Sequence, residues 1–361
     1  LHMDYIVGVS EVLNRLDDID GVSGDIVSLN KNVNELFPQL LRRYNAGCGM
    51  YSDLPKVLCI LHLSDVHGSG VSISRALRFR DAYADNIDDV VCTGDLVVDK
   101  FADGILFTNG IEGYNDILFC IGNHDTRTEP NAGEVFNWHI HMVDQQTAYN
   151  RYIAPFKNNW GDISITQGKT YYYKDYDECE IRMLFMNHIL QGTDASEQNT
   201  WLEAALAGAK SKGYSVVIAE HCPPEVITKI PCTFTSLDHG YGSDGNVFPA
   251  MYQATVQRFI DGGGSFLCYF GGHTHYDMVC YHPNYPQQPF ILVTQSGAVG
   301  YCDDRERVQG AKSQDALNLL GFDATTGIVK VVRIGADRDR YLRHTGTLTL
   351  DCKTHEVIWN D

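Results

Sequence analysis

The sequence lacks the features of a membrane or disulfide-stabilised protein. No apolar run approaches the roughly 20 residues that a membrane-spanning helix needs. The acidic N-terminal stretch does not have the basic-then-apolar plan of a signal peptide, so we expect none. The eleven cysteines include no CxxC pair, which argues against a disulfide framework and against a thiolate zinc site. We therefore expect reduced thiols and a cytoplasm-like compartment.

Basic residues are also scarce. Lys and Arg total 28 against 46 Asp and Glu, which gives a formal net charge of −18. Proteins that bind duplex nucleic acid obtain much of their affinity from Lys and Arg on phosphates. The charge balance argues against extended duplex binding, but not against a phosphate-bearing substrate at a metal site. With 361 residues, 44% of them hydrophobic, the chain can bury a large core.

The first 45 residues form a separate segment in the sequence pattern. Apolar residues recur there at alternating steps of three and four, as in a coiled coil: Ile19, Val22, Ile26, Leu29, Val33, Leu36 and Leu40. The pattern predicts two helical pieces joined weakly around residues 17–24. Two alternatives follow: a homo-oligomer, dimer or trimer, formed through residues 4–45, or an amphipathic helix packed on the chain's own body. Residues 46–56 are predicted to be a linker and residues 57–361 one catalytic domain.

From residue 57 onward, short apolar runs end in clusters of polar side chains. The clearest predicted strands are Val57–Leu63, Asp89–Cys92, Ile117–Ile121, Ser215–Ala219 and Phe266–Phe270. The side chains that follow them are Asp65 and His67; Asp95; Asn123, His124 and Asp125; His221; and His273 and His275. Five such strand ends predict one edge of a sheet at which these side chains meet.

The types and spacing of these side chains indicate metal binding. Residues i and i+2 of an extended chain point to the same side, so Asp65 with His67, and His273 with His275, can each direct two ligands to one place. His124 follows Asn123 directly and is expected to face a substrate instead. Carboxylates, imidazoles and an amide oxygen suit Mn, Fe, Zn or Co.

The same blocks resemble the signature of the calcineurin-like metallophosphoesterases. They occur in that family's order: Asp65-Val66-His67, Gly94-Asp95, Gly122-Asn123-His124-Asp125, His221 and Gly272-His273-Thr274-His275. The resemblance covers roughly residues 56–335. It implies a four-layer α/β/β/α sandwich, here preceded by the helical, coiled-coil-like arm.

The resemblance also implies two divalent metal ions and a role for each side chain. One ion would be bound by Asp65, His67 and His275. The other would be bound by Asn123, His221 and His273, with Asp95 bridging the two. A hydroxide activated between the ions would attack the phosphate. His124 would contact a phosphoryl oxygen or protonate the leaving group, and Asp125 would orient its imidazole.

Several other residues have two interpretations. His62 is expected to be a buried structural histidine, and His188 either structural or a group beside the site. His139 and His141 could approach the substrate from a predicted insertion, residues 126–180. The aromatic residues of that insertion either stack on a substrate ring or pack onto the domain. Asn123, His124 and Arg127 are candidate substrate contacts, with a solvated arginine as the alternative for Arg127, and residues 235–246 are a candidate rim loop.

The sequence therefore predicts metal-dependent hydrolysis of a phosphate ester. Monoester and diester remain open, because both use the same motifs. A nuclease is a second enzymatic alternative, disfavoured by the charge. The alternative from another class is an interaction protein of a larger assembly, such as a phage virion or a surface complex, anchored by the arm and carrying the phosphoesterase body.

Overall fold

The computed structural model describes residues 56–97, 101, 114–134, 141–224, 228–230, 248–293, 295–297, 315–336 and 347–359. The predicted arm (1–45), all but the last residue of the predicted linker (46–56) and the candidate rim loop (235–246) lie outside the described residues. Self-association through the arm thus stays a prediction.

The described residues form fifteen strands and five α-helices. In chain order the strands are β1 (Leu58–Leu63), β2 (Asp89–Cys92), β3 (Ile117–Phe119), β4 (Ile163–Ile165), β5 (Tyr172–Tyr176), β6 (Ile181–Phe185), β7 (Ser215–Ala219), β8 (Thr228–Ile230), β9 (Ser265–Gly271), β10 (Met278–His282), β11 (Tyr285–Leu292), β12 (Ala316–Asp323), β13 (Ile328–Gly335), β14 (Leu348–Asp351) and β15 (Val357–Trp359). The helices are α1 (Gly70–Ala82), α2 (Asn123–Thr126), α3 (Gln145–Tyr152), α4 (Gly192–Lys212) and α5 (Ala250–Asp261).

The strands assemble into two sheets. The first has seven strands in the order β15-β14-β13-β12-β1-β2-β3, and β1, β2 and β3 run parallel. The second has eight strands in the order β4-β5-β6-β7-β9-β11-β10-β8, with β6, β7, β9 and β11 parallel. Parallel strands place their carboxyl ends at one edge, so each sheet has an edge at which the following loops meet.

The core shows how the layers are stacked. Alternate residues of β7 face opposite sides, as the pleat requires. Val217 and Ala219 belong to one apolar cluster with the strands of the first sheet, whereas Val216 and Ile218 belong to another with α4 and α5. Helix α1 packs on β1. The order helix, sheet, sheet, helix confirms the predicted α/β/β/α sandwich.

Local signals fix the helix starts. Before α1, the hydroxyl of Ser69 accepts a hydrogen bond from the N–H of Ser72 at 3.4 Å. Before α3, the carboxylate of Asp144 accepts one from the N–H of Thr147 at 2.8 Å. Such caps satisfy amides that have no partner within the helix. No helix of the described residues is long and apolar enough to cross a membrane.

The predicted insertion, residues 126–180, is in large part integral to the fold. It supplies α3, the edge strand β4 and its neighbour β5 of the second sheet. Its aromatic residues Tyr152, Trp160 and Tyr172 are buried, and Tyr172 stacks on Phe185 with ring centroids 4.4 Å apart. These aromatic side chains therefore pack the core, in line with the packing alternative. Trp138 and His139 lie outside the described residues.

Candidate metal centre

The candidate ligands follow the carboxyl ends of parallel strands in both sheets. Asp65 and His67 follow β1, Asp95 follows β2, and Asn123 opens α2 after β3. His221 follows β7, and His273 and His275 follow β9. All seven side chains are buried. The loops after β1 and β2 are joined by backbone hydrogen bonds, among them His67 N to Asp95 O at 2.9 Å.

The backbone at these residues differs from the extended conformation that the sequence pattern predicted. The φ angles are 51° at Asp65, 45° at His67, 55° at Asp95, 64° at His273 and 58° at His275. This left-handed region costs a non-glycine residue on the order of 1 kcal/mol, and such residues are concentrated at functional sites. The extended i, i+2 geometry was therefore wrong, because sharp turns bring the paired side chains together.

One group of ligands joins the loops after β1 and β9. The Nε2 atom of His275 lies 3.0 Å from Nε2 of His67 and 3.1 Å from Oδ1 of Asp65. One ligand atom from each of the three residues lies within 4.8 Å of the others. The three side chains that were expected at one metal position are thus brought together.

A second group surrounds His221. Its Nε2 atom lies 3.1 Å from Oδ1 of Asn123 and 3.2 Å from Oδ2 of Asp95. The ring of His273 lies against that of His221, with centroids 5.1 Å apart. Asp95 is within ligand distance both of His67 and of His221, so it lies between the two groups.

Hydrogen bonds on the far side of two rings fix their tautomers. Nδ1 of His221 lies 2.6 Å from the carbonyl oxygen of Thr93, and Nδ1 of His67 lies 3.3 Å from that of Val97. A carbonyl only accepts, so in both rings Nδ1 carries a proton and Nε2 is the nitrogen that faces the cluster. This is the arrangement found in metal-binding histidines, whose other nitrogen donates to a carbonyl or carboxylate.

The electrostatics of the cluster favour a positive charge at His221 and disfavour one at His67. Burial lowers the pKa of His221, but the carboxylates of Asp95 and Asp65 outweigh it and raise that pKa to about 10. Burial, assisted by His275, lowers the pKa of His67 to about 4. Burial raises the pKa of Asp95, but His221 and His124 outweigh it and hold that pKa well below its usual value. A divalent cation would take the place of the Nε2 proton of His221, and imidazole nitrogens, carboxylates and an amide oxygen are ligands that suit such a cation.

His124 lies beside the first group. Its backbone N–H donates to Oδ1 of Asp95 at 2.9 Å, and its ring meets that of His67 edge-on, with centroids 5.0 Å apart. The side chain is 8% exposed, more than that of any of the seven candidate ligands. Its substrate-facing role stays a prediction.

Asp125 makes contacts that the sequence did not predict. Its carboxylate accepts hydrogen bonds from the N–H groups of Gly122 and Asp95, both at 2.8 Å, and of Leu96 at 2.9 Å. It therefore fastens the loop that carries Asp95. These hydrogen bonds indicate a role in holding the backbone, whereas the expected role was to orient the imidazole of His124.

The remaining candidates have varied positions. His62 is buried in β1, with Nε2 2.8 Å from Oγ1 of Thr93, as expected for a structural histidine. His141 is buried, and its Nε2 atom lies 3.3 Å from Oε2 of Glu134. Arg127 follows α2 with a half-buried side chain, and its contact with a phosphate stays a prediction.

The structure adds two residues that the sequence analysis missed. Nδ1 of His188 lies 3.0 Å from Oε1 of Glu220, and its Nε2 lies 3.2 Å from Sγ of Cys222. All three side chains are buried. The two missed residues are Glu220 and Cys222. They flank His221 directly after β7, and this position could have marked them as neighbours of the site. The eight cysteines in the described ranges are all buried thiols outside any disulfide.

Comparisons with known proteins give the family of this chain. The family model for calcineurin-like phosphoesterases matches residues 59–277. A comparison with curated proteins gives no significant match.

Solved structures that match in a structural comparison include a dimetal phosphatase from Danio rerio, with 13% identity, a TM-score of 0.49, and coverage of 80% of this chain and 99% of that one. A protein from Thermus thermophilus has 11% identity, a TM-score of 0.40, and coverage of 77% and 99%. A phosphopantetheinyl hydrolase from Mycobacterium tuberculosis has 12% identity, a TM-score of 0.32, and coverage of 66% and 90%. The match to the family model covers more than half of the sequence, and the chain belongs to the calcineurin-like phosphoesterase family.

Proposed function

We propose that this protein hydrolyses a phosphate ester with the help of two divalent cations. The observation that carries the proposal is the position of Asp95 between two groups of buried ligands, one around His67 and one around His221. A carboxylate has two oxygens and can serve two cations at once. Burying so many polar and charged side chains together is costly unless a bound partner compensates them.

The ligands divide into two sets. Asp65, His67 and His275 would hold one cation, and Asn123, His221 and His273 the other, with Asp95 shared. Bound cations would activate the attacking water and stabilise the charge that develops on the phosphoryl group. Mn, Fe, Zn and Co all suit this mixed nitrogen and oxygen set, and their availability in the cell would decide among them.

The chain's own residues would do the rest. Asp125 holds the loop after β2 through backbone amides, which keeps Asp95 in place. His124, the most exposed member of the cluster, would contact a phosphoryl oxygen or donate a proton to the departing oxygen. Arg127 is a further candidate contact for the phosphate.

The substrate class follows from charge and site together. With a net charge of −18, the protein as a whole repels polyanions, whereas the loaded site would be locally positive. A small or isolated phosphate ester fits better than duplex nucleic acid, so a nuclease is the weaker alternative.

Light scattering of the full-length protein tests the predicted dimer or trimer. A monomer would exclude self-association through the arm.

A substrate panel tests the proposal. Wild type, His124→Ala and the control His355→Asn are assayed with Mn²⁺ on an aryl phosphomonoester and on an aryl phosphodiester. Loss of a proton-transfer group typically costs 10²–10⁴-fold. We expect that loss in kcat for His124→Ala, with bound metal retained, and none for His355→Asn, whose side chain lies at a turn after β14. Hydrolysis of neither substrate by the metal-loaded wild type would overturn the proposal.

A further inference from the structure

We propose that the sulfur of Cys222 is a ligand of the cation held by His221 and His273. The fold places a thiol beside these two imidazoles: one ligand atom each from His221, Cys222 and His273 lie within 4.8 Å of one another. All three side chains are buried, and Cys222 has no exposed surface. The inference rests on the proposed function, because it adds a ligand to one of its two metal positions.

A base lies within reach of this thiol. Nε2 of His188 is 3.2 Å from Sγ of Cys222. On the other side of the ring, Nδ1 of His188 is 3.0 Å from Oε1 of Glu220. Carboxylate, imidazole and thiol thus lie in series, with Nδ1 and Oε1 at ion-pair distance but not in hydrogen-bond geometry.

Two members of this series, His188 and Glu220, are buried groups that can carry a charge. The side chains of His188 and Glu220 are each only 1% exposed. A buried carboxylate is expensive unless it faces a positive charge or several donors. The backbone N–H of Cys222 donates to Oε1 of Glu220 at 2.9 Å, which ties the carboxylate to the residue whose thiol is concerned.

His188 can accept the proton that Cys222 must lose when its sulfur binds a cation. When a bond between sulfur and cation forms, the S–H bond breaks and its proton passes to Nε2 of His188. The resulting imidazolium faces Glu220, and the thiolate offsets part of the charge of the cation. Without a metal, the same contact is an S–H···N hydrogen bond, which is the competing explanation.

A thiolate would give the two metal positions different preferences. The position of Asp65, His67 and His275 has only nitrogen and oxygen donors, and suits Mn²⁺ or other hard to borderline ions. Sulfur shifts the position of His221 and His273 towards Zn²⁺, Fe²⁺ or Co²⁺. We therefore expect the position of His221 and His273 to bind Zn²⁺, Fe²⁺ or Co²⁺ in preference to Mn²⁺.

Cobalt absorption tests this ligand directly. Chelator-treated full-length protein is titrated with Co²⁺, and the near-ultraviolet thiolate-to-cobalt charge-transfer absorption is followed, together with the amount of cobalt bound. Wild type is compared with Cys222→Ser and Cys222→Ala. Cys268→Ser is the matched control, because Cys268 is a buried thiol in β9 within the apolar core.

The expected result is a charge-transfer band in wild type and in Cys268→Ser, and its loss in both Cys222 variants. Cobalt affinity at one of the two positions should fall at least about tenfold in those variants. Two bound cobalt ions in wild type without the band would refute the inference, and so would a band that persists in the Cys222 variants. In either case, phosphoester hydrolysis by the cobalt form would leave the proposed function intact. No bound cobalt at all, with no hydrolysis, would overturn both. The wild-type spectrum decides the matter even where a variant fails to fold.

Discussion

The Nε2 atoms of His67 and His275 lie 3.0 Å apart, although 208 positions separate the two residues in the sequence. The Nδ1 proton of His67 is directed to the carbonyl of Val97, so its Nε2 presents a lone pair to the second ring. The carboxylate of Asp65 is 3.1 Å from the same atom of His275. Two imidazole nitrogens and a carboxylate oxygen thus lie close together, and all three are atoms that bind divalent cations.

Metal binding should therefore stabilise the folded chain. A cation at 100 times its dissociation constant adds about 2.7 kcal/mol, which raises the melting temperature by several degrees. Thermal unfolding of chelator-treated protein, with and without added Mn²⁺ or Zn²⁺, measures this shift. We expect it to shrink in His275→Ala and to persist in His355→Asn. An equal shift in His275→Ala would contradict the assignment of His275 as a ligand.

Asp95→Asn should weaken both metal positions at once. The substitution keeps the size of the side chain but removes the charge that two cations would share. We expect elemental analysis of the variant to find fewer than two ions per chain, and its hydrolysis rate to fall by at least about 10²-fold. The control is Asp175→Asn, a partly buried acid that bonds Arg182 and Lys212. Full metal content in Asp95→Asn would count against the shared carboxylate.

Gly122 should not tolerate a side chain. A Cβ atom at this position would lie 2.2 Å from Oδ1 and 2.3 Å from the backbone nitrogen of Asp95. Gly122→Ala must therefore displace Asp95, and we expect loss of bound metal and of hydrolysis. Gly192→Ala is the comparison, because its Cβ would meet nothing within 4 Å although φ is +53°. It should cost only about 1 kcal/mol of stability, and no activity. Normal metal content in Gly122→Ala would refute the steric argument.

His62 should make the stability of the metal-free protein depend on pH. Burial is the largest effect and, with Arg333, lowers the pKa of His62 to about 3, although Asp65 opposes this shift. The unfolded chain takes up the proton near its ordinary value of 6.5, whereas the folded chain does not. The contribution of His62 is therefore present above pH 6.5 and is lost as the pH falls from 6.5 towards 3, at up to about 1.4 kcal/mol per pH unit.

The test compares wild type with His62→Gln, whose amide can still reach Oγ1 of Thr93. The free energy of unfolding in urea is measured for both proteins at several pH values between about 7.5 and about 4.5, with chelator present. We expect a shallower dependence in His62→Gln. Parallel curves would show that His62 does not remain neutral in the folded protein.

The sequence predicted the strands that carry the site because each is a short, continuous apolar run. Buried parallel strands have that composition, and β1, β2, β7 and β9 follow it closely. Partly buried strands are harder to find. β5 has the sequence YYKDY and is only partly buried, so its polar residues gave no strand pattern and the segment was taken for an insertion.

Within the site, the ligand types could be predicted but the contacts could not. The spacing of Asp65 and His67 indicated a pair, yet their left-handed φ angles follow from hydrogen bonds to the loop after β2, which no local pattern shows. The carboxylate of Asp125 likewise bonds amides about 30 positions away. Cys222 and His188 meet only because β6 and β7 are neighbours in the second sheet.

The most direct test of a two-cation site is the metal stoichiometry of the native chain. Chelator-treated full-length protein is reconstituted with Mn²⁺, and native mass spectrometry counts the ions bound while hydrolysis of an aryl phosphate is measured on the same samples. The account predicts two ions per chain, with hydrolysis appearing as the second is bound. Hydrolysis by the metal-free chain, or saturation with a single ion at full activity, would contradict it.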